Sequence, residues 1–266
     1  MKERQKILKR KADANKGDFG HVLIIGGDYG MGGAVMMAAE AAYRSGAGKV
    51  SILSREENYP AVLSRLPNAM TVFAQKNENI FAHKNVIVIG PGLGKSAWAK
   101  HLLKAALACD LPKIIDADAL NLISENKKIP LLKNSIITPH VGEAARLLGC
   151  SISQIQKNRK LSAEKLQKKF GAIAILKGRN SLICGPDFLH ECKFGNPGMA
   201  VAGMGDVLCG VIAALVAQNL SLKDAAIFAV EFHAKAGDFV AKKQGEIGMM
   251  PQDLLSALPK IINSQT

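Results

Sequence analysis

The chain has 266 residues, 48% of them hydrophobic, which is enough apolar surface for a sizeable core and for one compact domain over residues 1–266. Lys and Arg number 35 against 22 Asp and Glu, a formal net charge of +13 that excludes an acidic disordered composition and leaves room for an anionic ligand without selecting one. The longest apolar stretch, residues 207–217, falls short of the ~20 residues a membrane-spanning helix needs, so no membrane anchor is expected.

Basic residues crowd the start (Lys2, Arg4, Lys6, Lys9, Arg10, Lys11, Lys16), and no apolar run follows them, so residues 1–16 read as a solvated basic leader and not as a secretory signal. Short β-branched runs then alternate with longer helical patterns, the signature of parallel strands joined by crossover helices in an α/β protein. Strands are predicted over 21–25, 49–53, 85–89, 113–115, 135–137 and 172–176, and helices over 34–44, 97–108 and 141–148. After Lys177 the rhythm changes: 181–184 and 188–192, separated by Gly185-Pro186-Asp187, predict a hairpin and hence an antiparallel edge. Three helical patterns close the chain, from Asp206 to about 218, over 222–242 and over 252–261. No internal repeat, linker or low-complexity stretch divides the sequence. Cys109, Cys150, Cys184, Cys192 and Cys209 are scattered, without the close pairs of a zinc site or a disulfide framework, so a reducing cytoplasm is the expected compartment.

Residues 34–43 are apolar almost all round (Ala34, Val35, Met36, Met37, Ala38, Ala39, Ala41, Ala42), which marks a helix buried against the sheet or against another subunit. Residues 158–169 spread Arg159, Lys160, Lys165, Lys168 and Lys169 around Leu161 and Leu166, the pattern of a solvated face. Between the first strand and helix lie Gly26, Gly27, Gly30, Gly32 and Gly33, where missing Cβ atoms let backbone amides approach a phosphate or a ring. No three of them fit G-x-G-x-x-G, and a tight strand-to-helix turn explains the cluster. Gly94-Lys95-Ser96 ends like a Walker A loop, but the required opening glycine is Ile89, and a helix start accounts for Ser96.

The most specific segment is 195–206, which runs into the apolar stretch 207–217. Gly203 and Gly205 permit close approach to an anion, a helix N-terminus supplies free N–H donors, and Asp206 places a carboxylate beside them. A phosphate next to a base is the layout for activating a hydroxyl in phosphoryl transfer. On this segment alone, Asp206 as a helix N-cap and Asp206 as a base both stand.

Taken together, Lys16-Gly17-Asp18-Phe19-Gly20, Arg44-Ser45-Gly46-Ala47-Gly48, Gly90-Pro91-Gly92-Leu93-Gly94, Asp116-Ala117-Asp118-Ala119-Leu120-Asn121, Thr138-Pro139-His140 with Gly142-Glu143, Leu176-Lys177-Gly178 and the 195–206 block form an ordered series. In this series the chain resembles the ADP-dependent NAD(P)H-hydrate dehydratases, a branch of the ribokinase-like fold. It departs from the family pattern at Val201 and Ala202, where Thr and Gly are usual, and at Val141, where Pro is usual. The resemblance implies a central, mostly parallel sheet flanked by helices. It also implies a hydro-lyase that returns the S epimers of NADHX and NADPHX to NADH and NADPH, using ADP and giving AMP and phosphate.

By position in the resemblance, Ala34, Gly92, His140 and Asp206 are expected to meet the hydrate, and Lys177, Gly178, Arg179, Asn180, Ser181 and Gly205 the adenine nucleotide. Asp206 would be the catalytic base and Gly203, Met204 and Gly205 the anion hole. Each has a plainer alternative: Ala34 in the core, Gly92 in a turn, His140 satisfying backbone groups, Lys177 snorkelling from a strand end, Asp116 and Asp118 capping the next helix. Mg²⁺ is expected with the nucleotide, through phosphates and water, with no protein metal site. The resemblance further implies a homotetramer, in keeping with the Ala-rich helix, and an NAD(P)H-hydrate epimerase as functional partner. A vitamin-alcohol kinase of the same fold is the rival reading. A nucleic-acid-binding protein, suggested by the charge, lacks a stacking platform in a chain with 3 Tyr and 1 Trp.

Overall fold

Side chains of successive strand residues point to opposite faces, and in the strand His21–Ile25 (β1) both sets are buried: Val22 and Ile24 belong to one apolar cluster, Leu23 and Ile25 to another. That is the mark of a sheet covered by helices on both sides. The computed structural model describes residues 10–73, 79–126 and 131–264. Within them the sheet adds Lys49–Leu53 (β2), Met70–Thr71 (β3), Val86–Ile89 (β4), Lys113–Ile115 (β5), Ser135–Ile137 (β6), Ile173–Leu176 (β7), Leu182–Cys184 (β8) and Leu189–Glu191 (β9). The order is β3-β2-β1-β4-β5-β6-β7-β8-β9, parallel as far as β7 and antiparallel from β7 to β9. The predicted mostly parallel sheet with an antiparallel hairpin at its edge is therefore what the chain forms.

The helices are Gly32–Arg44 (α1), Tyr59–Arg65 (α2), Ala97–Ala108 (α3), Ala117–Glu125 (α4), Val141–Leu148 (α5), Ile152–Lys157 (α6), Arg159–Phe170 (α7), Met204–Ala217 (α8), Leu222–Gln244 (α9) and Pro251–Asn263 (α10). Helices α1, α8, α9 and α10 cover one face of the sheet, and α3 to α7 the other. The buried side of α1 (Val35, Ala38, Ala39, Ala41, Ala42) packs on α8 within the same chain. The Ala-rich pattern that suggested a subunit contact is thus used up inside the fold. Gly210 of α8 shows how close the two helices lie, since a side chain there would run into the carbonyl of Ala38.

Differences from the predicted elements are local. The pieces β3, α2 and α6 are too short to show a period, and they form because neighbours pair with them or caps close them, as Ser151 and Gln154 do for α6. Helix α4 is the one expected after Asp116, and it buries Ala119, Leu120, Leu122 and Ile123. Helix α8 starts at Met204, two residues earlier than expected, because Gly203 at φ 96° turns the chain into it. Of the predicted basic leader, residues 1–9 lie outside the described residues. Arg10 is docked, its guanidinium donating to Gly46 O at 3.0 Å and lying 3.9 Å from the Phe19 ring.

Parallel strands put their C-terminal ends on one edge. The chain moves outward from β1 through β2 to β3 and then returns to place β4 on the other side of β1, so the crossovers diverge between β1 and β4. That divergence opens a crevice beyond the strand ends, the usual ligand site of open α/β sheets.

Candidate active site

At the crevice, the loop after β1 meets the loop after β4. The Gly27 amide donates to Pro91 O at 3.0 Å and the Asp28 amide to Gly92 O at 2.6 Å, while Gly26 has no room for a side chain against Pro91 O. Gly26, Gly27 and Gly32 of the early cluster are therefore packing positions, whereas Gly30 and Gly33 have open space around them. Asp28 locks the first loop: its carboxylate accepts from Arg55 Nε at 2.7 Å and from the Ser96 hydroxyl at 2.8 Å, and Ser96 also caps α3 by accepting from the Ala99 amide. Arg55 is stacked between the rings of Tyr29 and Trp98, at 4.5 and 4.3 Å. Burial pushes the Asp28 carboxyl up, but Arg55, Ser96 and the Tyr29 amide outweigh it and hold the group below its ordinary range. A Cβ on Gly92 would lie 3.2 Å from the Ala34 Cβ, so the two expected hydrate contacts are neighbours on this wall.

Opposite stands a buried charge cluster at the ends of β5, β6 and β7. Lys177 Nζ donates to Asp116 Oδ1 at 2.7 Å and lies 3.9 Å from Glu143 Oε2. Thr138 Oγ1 donates to the same Asp116 oxygen at 2.7 Å, and Cys209 Sγ to the other at 3.3 Å. Burial would lift Asp116, yet Lys177 and these hydrogen bonds bring it below its ordinary value; Lys177 is held above its own by Asp116 and Glu143 against the effect of burial. Gly205 rests on this pair, because a Cβ there would lie 3.3 Å from Lys177 Nζ and 3.5 Å from Asp116 Oδ2.

Asp206 is the third residue of α8. The first backbone bond onto the helix start is Val207 N to Gly203 O at 3.0 Å, so the amides of Gly205 and Asp206 precede it and have no intrahelical acceptor. Burial lifts the Asp206 carboxyl from 3.8 to about 7, with Asp116 and Asp118 pushing the same way and Lys177 pulling back. A carboxyl poised there is half ionised at neutral pH and basic enough to take a proton.

His140 occupies the N-cap of α5: its Nδ1 accepts from the Gly142 amide at 3.0 Å, its own amide donates to Glu143 Oε2 at 2.8 Å, and its Nε2 lies 3.5 Å from Glu143 Oε1. Burial, with Lys177 and Arg146 nearby, lowers its basicity, so the ring is neutral at pH 7. Of the stretch after β7, Asn180 donates to Glu191 Oε1 at 2.9 Å and the Ser181 hydroxyl to Gly178 O at 3.0 Å, while Arg179 is exposed. Arg159 passes beneath, donating to Leu176 O at 3.1 Å and fixing the end of β7.

The family described as NAD(P)H-hydrate dehydratase matches residues 22–260. The chain belongs to the NAD(P)H-hydrate dehydratase family. It is 48% identical to a bifunctional NAD(P)H-hydrate repair enzyme of Coxiella burnetii over 97% of this chain and 53% of that one. It is 38% identical to an ADP-dependent (S)-NAD(P)H-hydrate dehydratase of Neisseria meningitidis, over 90% of this chain and 83% of that one. The chain thus spans about half the length of the bifunctional relatives it matches. Among solved structures, a ribokinase-like superfamily protein of Enterococcus faecalis is 32% identical and superposes with a TM-score of 0.88 over 99% of this chain and 94% of that one. The ADP/ATP-dependent NAD(P)H-hydrate dehydratase of Bacillus subtilis, crystallised with ATP and Mg²⁺, is 28% identical with a TM-score of 0.87 over 99% and 96%.

Set against the residues expected for this dehydratase family, the structure makes three corrections to the plainer alternatives. Asp206 is not the cap of α8, since Gly203 holds that position and Asp206 lies inside the first turn. Lys177 does not snorkel; its ammonium turns inward onto Asp116, with the side chain 20% exposed. Asp116 stands at the N-cap of α4 but makes no capping bond, and Asp118 accepts from the Gly94 amide at 2.9 Å. The backbone role of His140 is real. Three residues of this candidate site are not marked by the sequence: Cys209, inside an apolar run, Arg159, inside a basic one, and His233, whose Nε2 lies 3.0 Å from Met204 O at the helix start. Glu143, spaced three residues from His140, was the one with a readable signal, the capping-box spacing. Among the described residues no group of three or more His, Cys, Asp or Glu is arranged to hold a metal ion.

Proposed function

We propose that this chain removes water from the S epimers of NADHX and NADPHX at the expense of ADP, giving NADH or NADPH, AMP and phosphate. The observation that carries the reading is Asp206: a partly buried carboxyl lifted to about 7, beside the free amides of Gly205 and its own at a glycine-lined helix start. Hydroxide is a poor leaving group, so the ring hydroxyl is first made into a phosphate ester. Asp206 takes the hydroxyl proton as that oxygen attacks the β-phosphorus of ADP and the bond to AMP breaks. The amides of Gly203 and Gly205 hold the transferred group; that of Met204, expected to join them, donates to Val201 O at 3.4 Å. The lone pair of the ring nitrogen then expels phosphate, and loss of a proton from the neighbouring carbon restores the double bond.

In this scheme Ala34 and Gly92 form the wall against which the hydrate ring lies, and His140 contacts it from α5. The backbone of Lys177, Gly178, Arg179, Asn180, Ser181 and Gly205 receives the adenine nucleotide, with Arg159 keeping the strand end in place. Mg²⁺ fits as an ion carried by the nucleotide's phosphates and water, because the carboxylates beside the turn are already paired, Asp116 with Lys177 and Asp118 with the Gly94 amide. Bound there it would neutralise phosphate charge during transfer. Residues 1–266 acting as one catalytic unit, a homotetramer in the cytoplasm and an NAD(P)H-hydrate epimerase as functional partner complete the proposal. The two activities of its bifunctional relatives favour that last element.

The test is incubation of the purified chain with NADH hydrate and ADP. Return of dihydronicotinamide absorbance with one AMP and one phosphate per turnover is expected, with higher kcat/KM for ADP than for ATP, because the terminal phosphoryl must stand in line with the ring hydroxyl. A stable phosphorylated product without absorbance recovery would make the chain a kinase instead.

A further inference from the structure

Asp116 takes no part in the steps above, yet its carboxylate is only 2% exposed and stands directly under the turn that receives the phosphoryl group. Every group it meets donates to it, each from a different element: Lys177 from the end of β7, Thr138 from the end of β6 and Cys209 from α8. Cys209 lies three residues after Asp206, on the same side of α8, so its bond to Asp116 fixes the rotation of that helix about its axis. Lys177 presses against Gly205 from below. A lone ammonium in that place would draw the transferred phosphoryl downward and strip Asp206 of its basicity; Asp116, with Glu143 beyond it, offsets that charge.

We propose that Asp116 is a positioning residue for phosphoryl transfer: through Lys177 and Cys209 it sets the first turn of α8 and balances the charge beneath it, so that Asp206 meets the ring hydroxyl as a base. The proposal rests on the reading of Asp206 as that base. The groups facing Asp206 are Asp116, Lys177 and Asp118. Beyond them stand Glu143, which shares Lys177, the protonated Cys209 thiol, and His233, which burial holds at about 4 and therefore neutral.

The experiment is kcat against pH at saturating ADP for Asp116→Asn and for Asp116→Asn with Lys177→Met. The single variant is expected to lose ~10-fold or more in kcat, as a displaced site does. Its acid limb should move to lower pH by about one unit, because the negative charge of Asp116 no longer opposes ionisation of Asp206 while Lys177, left with Glu143 alone, favours it. The double variant removes both members of the Asp116–Lys177 pair, so it leaves no unpaired ammonium beneath the turn and is the variant to measure where the single one fails to fold. Its limb should return toward that of the parent while kcat stays low. A folded Asp116→Asn with an unmoved limb, or a double variant with parental kcat, overturns the proposal, since a purely structural pair would give either result. Asp206→Asn, measured alongside, separates the two readings: parental turnover in that variant removes the base assignment itself, whereas an inactive Asp206→Asn with an unmoved Asp116→Asn limb removes only the role of Asp116.

Discussion

Two glycine-rich loops feed two helices that pack on each other, α1 after the 26–33 loop and α8 after the 195–203 segment. Each carries one aspartate, and the two aspartates are treated in opposite ways. Asp28 receives a guanidinium and a hydroxyl and is held below its ordinary range. Asp206 is given no hydrogen bond among the described residues and is lifted to about 7. A satisfied carboxylate stabilises the fold and is chemically inert, whereas a partly buried one with no protein donor is a proton acceptor held at a cost in stability.

The largest expected effect is on turnover. Asp206→Asn keeps the size of the side chain and removes its basicity, so the rate of hydrate repair should fall by roughly 10² or more with nucleotide still bound. Steady-state kinetics with a nucleotide-binding titration measure both; parental turnover would erase the contrast between the loops. Asp28→Asn should act on stability, by about 3 kcal/mol, because it leaves Arg55 without its partner in a largely buried place. The sign follows from the depressed carboxyl: its stabilisation is present above the ordinary value of 3.8 and is lost as pH falls below it, so the gap to the parent should close in acid. Denaturant titrations at pH 7 and pH 3.5 test this.

Asp206→Asn should show the reverse. Between 3.8 and about 7 the folded protein holds a proton that the unfolded chain does not, so the parent loses stability as pH rises through that window. The variant escapes this loss and should be more stable than the parent at pH 8, by up to a few kcal/mol at ~1.4 kcal/mol for each tenfold change in proton affinity, and no more stable near pH 3.5. A variant that is inactive and less stable at pH 8 would mean that the carboxylate is structural after all. Smallest is Ser96→Ala, which removes a cap of α3 and one hydrogen bond to Asp28 and should lower stability by about 1 kcal/mol without changing kcat.

Much of this contrast was legible beforehand. The failed G-x-G-x-x-G spacing of the first loop pointed to packing, and Gly203, Gly205 and Asp206 ahead of an apolar run pointed to an anion site with a base. The partners of the two aspartates were not legible: Arg55 is 27 residues from Asp28, and Asp116, Lys177 and Cys209 meet across separations of 61 and 93 residues. Arg159 read as one more solvated cation because its neighbours in sequence are, and only the turn of α7 against β7 brings it under the strand end.

What local physics controls is written in the order of residues. The β-branched runs, the helical periods between them and the turn at Gly185-Pro186-Asp187 specify strands, crossovers and a hairpin, because hydrophobic period and turn chemistry act over a few residues. The motifs, whose order spans the chain, also identify the family. The site itself comes from packing between distant segments. The C-terminal ends of parallel strands stand on one edge only once the sheet is assembled, and only there do Asp116, Thr138 and Lys177 meet beneath α8. The protonation of a carboxylate depends on the water it has lost and the charges it faces, and both are set by residues far away in the chain.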